Sequence, residues 1–177
     1  MKRAAFLDRD GVINQKPPEG QYVTRWEEMR LLPGVADAIT LLTQAGFCVI
    51  IVSNQRCVAK GLLTVSELES IHAHMCQELA AKGALITQVY YCPHDNKPAC
   101  RCRKPAPGLL LTAAREHEID LQNSWMIGDS EIDVEAGRTA GCRTVRIMNG
   151  GAGERSGADL AANTLLDAVR QVLTLEP

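Results

Sequence analysis

Short apolar runs alternate along this chain with segments whose apolar residues recur at helical spacing. The runs predict five β-strands, at residues 4–7, 47–52, 86–91, 125–127 and 144–147. The helical spacing predicts helices over 35–45, from 65 up to 83, and over 107–118, 132–140 and 165–175. Strands that alternate with helices in this way are typical of βαβ units. We therefore expect an α/β fold, a three-layer, doubly wound parallel sheet covered by helices on both faces.

Local signals agree with these helix boundaries. Thr64 and Glu67 have the spacing of a capping box at the start of the second predicted helix. Gly46 and Gly83 follow the last apolar positions of the first two helices, where a glycine commonly ends a helix. The boundaries predicted from hydrophobic spacing are thus supported by residues that favour helix ends.

The size and charge of the chain narrow the classes of function. At 177 residues it can bury one sizeable core, so we expect a single domain over 1–177. The net charge is −2 and the charges are interspersed, which argues against nucleic acid and membrane as partners. The apolar runs are far shorter than a membrane span, and the first residues lack a signal-peptide pattern. We expect a cytoplasmic protein, and a monomer because no large apolar stripe is left over.

Metal-ligand residue types are concentrated in one short stretch. Cys92, His94, Cys100 and Cys102 offer three thiols and one imidazole within eleven positions, a set suited to tetrahedral Zn²⁺. Four protein ligands leave no open position, so the ion would have a folding role and would stabilise a loop with few apolar residues. The alternative is a group of free or redox-active thiols.

Two carboxylates directly follow the first predicted strand. Asp8 and Asp10 lie two positions apart, so on an extended chain they face the same side. Like charges this close are unfavourable unless a cation lies between them, which indicates a metal site. Gly11 then lets the backbone turn, and its amide can point at an anion. An ordinary turn after a strand is the alternative.

Further polar residues follow other predicted strands or precede a helix. Ligands of an open parallel sheet gather outside the carboxyl ends of its strands, so we expect these residues at one edge. Each segment alone is compatible with a turn or a helix cap. Together with Asp8 and Asp10 they form an ordered set that indicates a catalytic site. The segments are Ser53-Asn54-Gln55, Arg103-Lys104-Pro105 and Gly128-Asp129-Ser130-Glu131-Ile132-Asp133.

This ordered set resembles the four motifs of the haloacid dehalogenase (HAD) superfamily, whose phosphatases use an aspartate nucleophile with magnesium. Other segments resemble one branch of it, the D-glycero-D-manno-heptose 1,7-bisphosphate 7-phosphatases, whose relatives, the histidinol-phosphate phosphatases, share the zinc loop. The resemblance covers nearly the whole chain and implies a HAD-like, Rossmannoid fold and a phosphomonoesterase of surface-polysaccharide precursor synthesis. The segments that carry it are Tyr22-Val23, Leu32-Pro33-Gly34-Val35, Cys92-Pro93-His94 and Cys100-Arg101-Cys102-Arg103-Lys104-Pro105.

The acids of the set suit a magnesium ion. Mg²⁺ prefers oxygen ligands and keeps several waters, so we expect it on the Asp8 carboxylate, the Asp10 carbonyl and Asp129. Asp133 would brace the site or orient a water without touching the ion. The divalent charge would make a phosphate dianion accessible to a carboxylate nucleophile.

Chemical roles follow for the residues around that ion. Asp8 would attack phosphorus and form an aspartyl phosphate, and Asp10 would act first as general acid and then as general base. Ser53 and Lys104 would donate to the phosphoryl oxygens, and the charge of Lys104 would help to keep Asp8 ionised. A zinc loop that ends at Cys102 would also hold the two cations that follow it.

The resemblance implies a small phosphorylated sugar as the substrate. We expect Arg103 to recognise it, and residues from Lys16 to Glu19 to form the rim of the cleft. No separate cap domain is expected between Asp10 and Lys104, because core elements take up most of that interval, so loops must close the site. Other expected substrate contacts are Gly11, Asn54, Gln55, Arg56 and Ser130.

The segment 53–61 departs from the family pattern, which usually carries Thr-Asn-Gln-Ser-Gly followed by Ala-Arg-Gly. Arg56 adds a cation near the cleft, which would either bind a distal phosphate or be solvated. Histidinol phosphate or another small sugar phosphate is an alternative substrate, and a zinc-containing binding protein without turnover is an alternative class. The histidines outside the zinc cluster are expected at the surface or partly buried: His72, His74 and His117.

Overall fold

Strands and helices alternate along the chain in the structure, as the hydrophobic pattern predicts. The computed structural model describes residues 1–151 and 157–175. The strands in that part are Arg3–Leu7 (β1), Phe47–Asn54 (β2), Gln88–Cys92 (β3), Trp125–Gly128 (β4), Arg143–Ile147 (β5) and Leu160–Ala162 (β6). The α-helices are Val35–Gln44 (α1), Val65–Ala80 (α2), Gly108–His117 (α3), Glu131–Ala140 (α4) and Leu165–Thr174 (α5). Two 3₁₀ helices lie at Trp26–Glu28 and Leu121–Asn123.

The strands form one parallel sheet with the spatial order β3-β2-β1-β4-β5-β6. The chain winds outward from β1 through β2 to β3 and then returns to the other side of β1. At the carboxyl end of β1, Leu7 is therefore paired with Ile51 of β2 and with Ile127 of β4. The connections after β1 and β4 leave in opposite directions, which opens a crevice at this switch point.

Helices cover both faces of the sheet and bury two apolar clusters. Successive residues of a strand point to opposite faces, so Leu7 packs in one cluster and Phe6 in the other. Helices α1, α2 and α5 contribute to the first cluster, and α3 and α4 to the second. This confirms the three-layer, doubly wound fold. Both Leu7 and Phe6 are fully buried, which anchors the end of β1 from which the acidic motif emerges.

Two helix starts are fixed by reciprocal capping. The Thr64 side chain accepts from the Glu67 amide while the Glu67 carboxylate accepts from the Thr64 amide, as the sequence predicts. Ser130 and Asp133 make the same arrangement at the start of α4. A cap of this kind contributes about 1 kcal/mol to stability. The α4 cap also holds Asp133 at the carboxyl edge of the sheet.

The structure adds elements that the hydrophobic pattern did not predict. Strand β6 has three residues and pairs with β5, and Asp159 just before it accepts from the amide and hydroxyl of Thr144. So short a strand has no periodicity of its own, and its pairing with β5 decides its conformation. Strand β3 begins at Gln88 rather than at 86, because its ladder with β2 begins at Gln88. The two 3₁₀ helices are also additions.

The intervals before and after β2 are taken up by loops and by one α-helix each, α1 and α2. Loops over 8–25 and 55–63 therefore border the carboxyl edge of the sheet, as does the stretch between β3 and α3. In the part of the chain that the structure describes, no helix is long and apolar enough to cross a membrane.

Candidate active site and metal sites

Asp8 and Lys104 form the centre of the site. Asp8 is the first residue after β1, and its amide donates to the carbonyl of Ile127 on β4. The Lys104 Nζ lies 2.7 Å from Asp8 Oδ1 and 2.7 Å from Asp133 Oδ1, and it donates to the Val52 carbonyl at 2.7 Å. The Lys104 side chain is only 1% exposed. A single buried ammonium group thus faces two buried carboxylates.

Burial raises the pKa of Asp8 to about 7, and the charges of Asp133 and Asp10 act in the same direction while Lys104 opposes them. Burial alone would lower the pKa of Lys104, but Asp133 and Asp8 outweigh it and raise that pKa, so Lys104 stays charged. One lysine is therefore not enough to keep Asp8 fully ionised at neutral pH. Further positive charge near Asp8 is needed to keep its carboxylate ionised.

A divalent cation fits the acids at this position. Carboxylate oxygens of Asp8, Asp129 and Asp133 all lie within 4.8 Å of one another. An all-oxygen set of this kind is suited to Mg²⁺. Burial raises the pKa of Asp129, although its Oδ2 accepts from Lys16 Nζ at 2.7 Å. Asp8 and Asp129, two of the three residues expected to hold magnesium, are thus brought together with Asp133, which was expected to brace the site. Asp10, expected to bind through its carbonyl, does not contribute a carboxylate to this cluster.

Gly11 is required where the loop after β1 passes Asp129. Its φ of +94° lies in the left-handed region, and a Cβ added there would lie 2.3 Å from Asp129 Oδ2. The Gly11 carbonyl accepts from the Asn149 side chain, which ties the loop after β5 to the same turn. The glycine therefore allows the acidic loop to approach Asp129 closely. A contact of Gly11 with substrate stays a prediction.

Asp10 is surrounded by donors. Its carboxylate accepts from the Arg9 guanidinium at 3.1 Å, from Asn14 Nδ2 at 2.9 Å and from Gln55 Nε2 at 3.0 Å. Burial alone would raise the pKa of Asp10, but the Arg9 charge and these hydrogen bonds outweigh burial and lower it. Arg9 in turn contacts the imidazole of His72. Asp10 is thus held as a carboxylate in this arrangement.

Arg9, Asn14 and His72 are part of the site but were not predicted as such. Only Arg9 had a sequence signal, a charged residue between two acids at the end of a buried strand. His72 is buried, so its expected place at the surface or partly buried is wrong, whereas His74 is exposed as expected. Helical spacing alone could not distinguish these two, because the loop that contacts His72 comes from β1.

The residues at the end of β2 make hydrogen bonds to other residues of the site. Gln55 Nε2 donates to Ser53 Oγ at 2.8 Å as well as to Asp10. The Asn54 amide makes two hydrogen bonds with the Lys104 backbone, both at 3.0 Å. Asn54 and Gln55 thus position the predicted catalytic residues Lys104, Ser53 and Asp10. Their predicted contacts with substrate stay predictions.

The predicted zinc ligands converge in space. Sulfur and imidazole ligand atoms of Cys92, His94, Cys100 and Cys102 all lie within 4.8 Å of one another. The three sulfur pairs are separated by 3.5, 3.2 and 3.4 Å, and His94 Nδ1 lies 3.2 Å from the Cys102 sulfur. Three thiols and one imidazole at such spacing fit a tetrahedral Zn²⁺. This cluster could hold a metal, and the donor set favours zinc.

The remaining predicted substrate residues have different surroundings. Arg56 Nε forms an ion pair with Asp95 Oδ1 at 2.5 Å, and Arg103 Nη1 donates to the His94 carbonyl at 3.4 Å. The Ser130 hydroxyl donates to Asp133 Oδ2. Arg56 therefore joins the β2 loop to the zinc loop, and its contact with substrate stays a prediction.

A cleft of about 230 Å³ opens over Asp8. Its lining includes Lys16 and Glu19, which supports their expected position at the rim. A neighbouring cavity is lined by Arg103 and shares Lys104 and Ile132 with the cleft. Asp8 thus lines one cavity and Arg103 lines the adjacent one.

Comparison with known proteins agrees with this arrangement. A family profile described as HAD-hydrolase-like matches residues 101–172. The D-glycero-beta-D-manno-heptose-1,7-bisphosphate 7-phosphatase of Rhodopseudomonas palustris is 43% identical over 145 residues, 78% of this chain and 79% of that protein. The D-glycero-alpha-D-manno-heptose-1,7-bisphosphate 7-phosphatase of Mycobacterium bovis is 38% identical over 166 residues, 90% of this chain and 86% of that protein.

A solved structure is similar over almost the full length. The D,D-heptose 1,7-bisphosphate phosphatase from B. bronchiseptica, complexed with magnesium and phosphate, has a TM-score of 0.89 at 33% identity. The similarity covers 98% of this chain and 99% of that chain. A doubly wound sheet whose acids gather at the switch point, together with this likeness, places the protein among the HAD hydrolases.

The level of identity allows a narrower assignment. The chain belongs to the family of D-glycero-D-manno-heptose-1,7-bisphosphate 7-phosphatases. This confirms the resemblance found in the sequence motifs. The names of these relatives favour the heptose bisphosphate interpretation over histidinol phosphate.

Proposed function

We propose that this protein is a Mg²⁺-dependent phosphomonoesterase that removes the 7-phosphate of D-glycero-D-manno-heptose 1,7-bisphosphate through an aspartyl phosphate. The observation that best supports this proposal is the position of Asp8. It shares Lys104 with Asp133 and lies beside Asp129 at the switch point. The similar enzyme from B. bronchiseptica is named for this substrate and was crystallised with magnesium and phosphate. The product would serve the synthesis of surface-polysaccharide precursors.

The ion would be held by the carboxylates of Asp8 and Asp129 and by the carbonyl of Asp10, with Asp133 as a brace. When bound, Mg²⁺ supplies positive charge that neutralises the phosphoryl oxygens and keeps the nucleophile ionised. Lys104 adds a fixed positive charge, because its ammonium group contacts both Asp8 and Asp133. These acids support the proposal because they offer oxygen ligands only.

The first step forms a bond between an Asp8 carboxylate oxygen and phosphorus and breaks the bond from phosphorus to the sugar oxygen. Asp10 gives its proton to the leaving alkoxide. Donors around Asp10 favour its carboxylate form, so Asp10 must first take up a proton from solvent, and the negative charge of an approaching phosphate dianion favours this by raising the pKa of Asp10. Ser53 donates to a phosphoryl oxygen, and Lys104 does so by giving up one of its contacts with Asp8, Asp133 and the Val52 carbonyl.

The second step regenerates Asp8. Asp10 has lost its proton to the sugar and is again a carboxylate, the form that its donors Arg9, Asn14 and Gln55 favour. It accepts a proton from water as that water attacks phosphorus and the bond from phosphorus to Asp8 breaks. The products are inorganic phosphate and the free nucleophile.

A structural Zn²⁺ on Cys92, His94, Cys100 and Cys102 would stabilise the loop before α3. Support comes from the donor set and from the short distances between the four ligand atoms. Because Arg103 directly follows Cys102, the ion would also hold Arg103 over the neighbouring cavity. We assign Arg103 to the second phosphate of the substrate. Lys16 and Glu19 are assigned to the rim of the cleft.

A substrate panel tests the proposal. Purified protein with Mg²⁺ would be assayed for phosphate release from the alpha and beta anomers of heptose 1,7-bisphosphate, from histidinol phosphate and from p-nitrophenyl phosphate. We expect the highest kcat/KM with one heptose bisphosphate anomer and no release when Mg²⁺ is chelated. Relatives named for either anomer match this chain, so the assay must include both. Preference for histidinol phosphate, or turnover without Mg²⁺, would contradict the proposal.

We further propose a single domain over 1–177 that acts as a monomer in the cytoplasm. A cluster of thiols with metal-ligand spacing suits a reducing compartment, where such thiols stay available to an ion. Analytical ultracentrifugation of the purified protein would test the oligomeric state. Fractionation of cells that express a tagged protein would test the location.

A further inference from the structure

Arg9 is a buried cation to which the proposed mechanism gives no role beyond favouring the carboxylate form of Asp10. Its side chain is 1% exposed, and it lies between the proposed nucleophile and the proposed general acid in the sequence. Its guanidinium contacts both carboxylate oxygens of Asp10, with three N···O distances of 3.1 to 3.3 Å. A planar fork that reaches both oxygens fixes the orientation of a carboxylate as well as its charge.

The opposite side of the guanidinium is fixed by His72. Arg9 Nη1 lies 3.1 Å from His72 Nε2, and His72 is 5% exposed on the buried face of α2. Burial and the Arg9 charge lower the pKa of His72 to about 3, so the ring is neutral and Nε2 accepts from Arg9. The imidazole packs against the ring of Tyr91, at 5.4 Å between centroids, which holds it in place.

We infer that Arg9 and His72 are positioning residues, in which His72 orients the Arg9 fork and Arg9 holds the Asp10 carboxylate in place for proton transfer. This inference rests on the proposed function, because it gives Asp10 the role of general acid and base. It goes beyond that function by assigning a role to α2, which supplies no residue of the proposed catalytic set. The chain of contacts runs from Tyr91 on β3 to Asp10 at the cleft.

A purely structural role would make different predictions. A buried guanidinium needs partners for its donors wherever it lies, so loss of either contact could simply destabilise the protein. A positioning role instead affects the chemical steps, because misplacement of a proton donor lowers kcat while the binding of substrate is retained. The two roles are separated by comparing kcat, KM and stability in matched variants.

The test compares His72→Leu with His72→Gln, and His74→Leu serves as control because His74 is exposed on the same helix. Leucine fills similar space without an acceptor, whereas the glutamine carbonyl can still accept from Arg9. With heptose bisphosphate and Mg²⁺ we expect His72→Leu to lower kcat roughly 10- to 100-fold at unchanged KM. His72→Gln should retain most of the wild-type kcat, and His74→Leu all of it.

Three results would overturn the inference: wild-type kcat in His72→Leu, equal kcat losses in folded His72→Leu and His72→Gln, or an effect on KM alone. If His72→Leu does not fold, Arg9→Lys replaces it, since lysine keeps the charge but lacks the fork. Lower kcat at unchanged KM is expected there, and a wild-type kcat contradicts the inference. Absence of turnover in the wild-type protein would overturn both proposals, whereas wild-type turnover with an unaffected His72→Leu overturns only this one.

Discussion

Lys104 Nζ lies 2.7 Å from Asp8 Oδ1 although the two residues are 96 positions apart in the chain. The contact joins the end of β1 to the segment that follows the zinc cluster. The same ammonium group lies 2.7 Å from Asp133, so one buried cation serves two acids. Catalysis and folding therefore depend on the same ammonium group, and a change at Lys104 should affect both.

Replacement of Lys104 by methionine should destabilise the metal-free protein. The substitution retains the length of the side chain but leaves Asp8 and Asp133 buried without their cation. Breaking a buried ion pair on one side costs roughly 3 to 5 kcal/mol of unfolding free energy. Urea unfolding of Lys104→Met should show this loss, and Lys82→Met is the control because Lys82 forms an exposed pair with Glu78. A loss no larger than the control's would contradict the central role of Lys104.

Asp8→Asn should abolish turnover and leave the fold intact. The amide cannot form the aspartyl phosphate, yet it has nearly the shape of the carboxylate. Loss of a buried charge beside Asp133 should not lower the stability of the metal-free protein. Phosphate release and thermal unfolding measure the two effects. Robust activity in this variant, or crystals of the wild-type protein with beryllofluoride and no adduct on Asp8, would contradict the covalent route.

The raised pKa of Asp8 predicts a pH dependence of stability. Its pKa is 3.8 when unperturbed and about 7 in the folded, metal-free protein, so the folded state binds its proton more tightly than the unfolded state. The contribution of Asp8 to stability is fully present below about pH 4 and is lost as the pH rises through 7. Thermal unfolding of wild-type protein and Asp8→Asn should therefore diverge from pH 4 to pH 8, with the wild type losing more. Parallel curves would contradict the assigned pKa.

Magnesium should reverse that loss, because it binds the ionised form of Asp8. The increase in melting temperature on addition of Mg²⁺ should be larger at pH 8 than at pH 5.5. Asp8→Asn lacks the titrating ligand and should show a smaller increase at both values. An equal increase in the two proteins at pH 8 would argue against Asp8 as a ligand.

Gly11→Ala should weaken magnesium binding. The added methyl group would lie 2.3 Å from Asp129 Oδ2, so this carboxylate would have to move. We expect the Mg²⁺ concentration for half-maximal activity to rise roughly 10- to 100-fold. Gly20→Ala is a matched control, because Gly20 also has a positive φ but nothing within 4 Å of an added Cβ. If both variants require the same Mg²⁺ concentration, the close approach of Gly11 to Asp129 does not determine magnesium binding.

Loss of one cluster ligand should remove zinc and loosen the loop. Cys102→Ser should purify with less than one equivalent of zinc and with reduced thermal stability, because the ion would link the end of β3 to the segment that precedes α3. Cys48→Ser, outside the cluster, should keep its zinc. Metal analysis of both proteins purified without chelators measures this. Absence of zinc from the wild-type protein would contradict the assignment.

The order of strands and helices follows from local pattern, because a buried strand and an amphipathic helix each have a characteristic spacing. Asp8 and Asp10 directly follow a predicted strand, which places them at the carboxyl edge of the sheet. The four zinc-ligand residues are likewise close together in the chain, so spacing alone shows that they can share an ion. The Thr64 capping box is equally local. All of these were predictable without coordinates.

The sequence by itself determined which segments form β1 to β5, the acids that follow β1 and β4, and the clustered metal ligands, since all of these depend on neighbours within a few residues. Only the tertiary structure decided which partners these residues meet across the sheet. Arg9 contacts His72 over 63 positions, Gln55 reaches Asp10 over 45, and Arg56 pairs with Asp95 over 39. Such contacts arise because parallel strands bring distant loops to one edge, and no periodicity in the chain records which loops meet there.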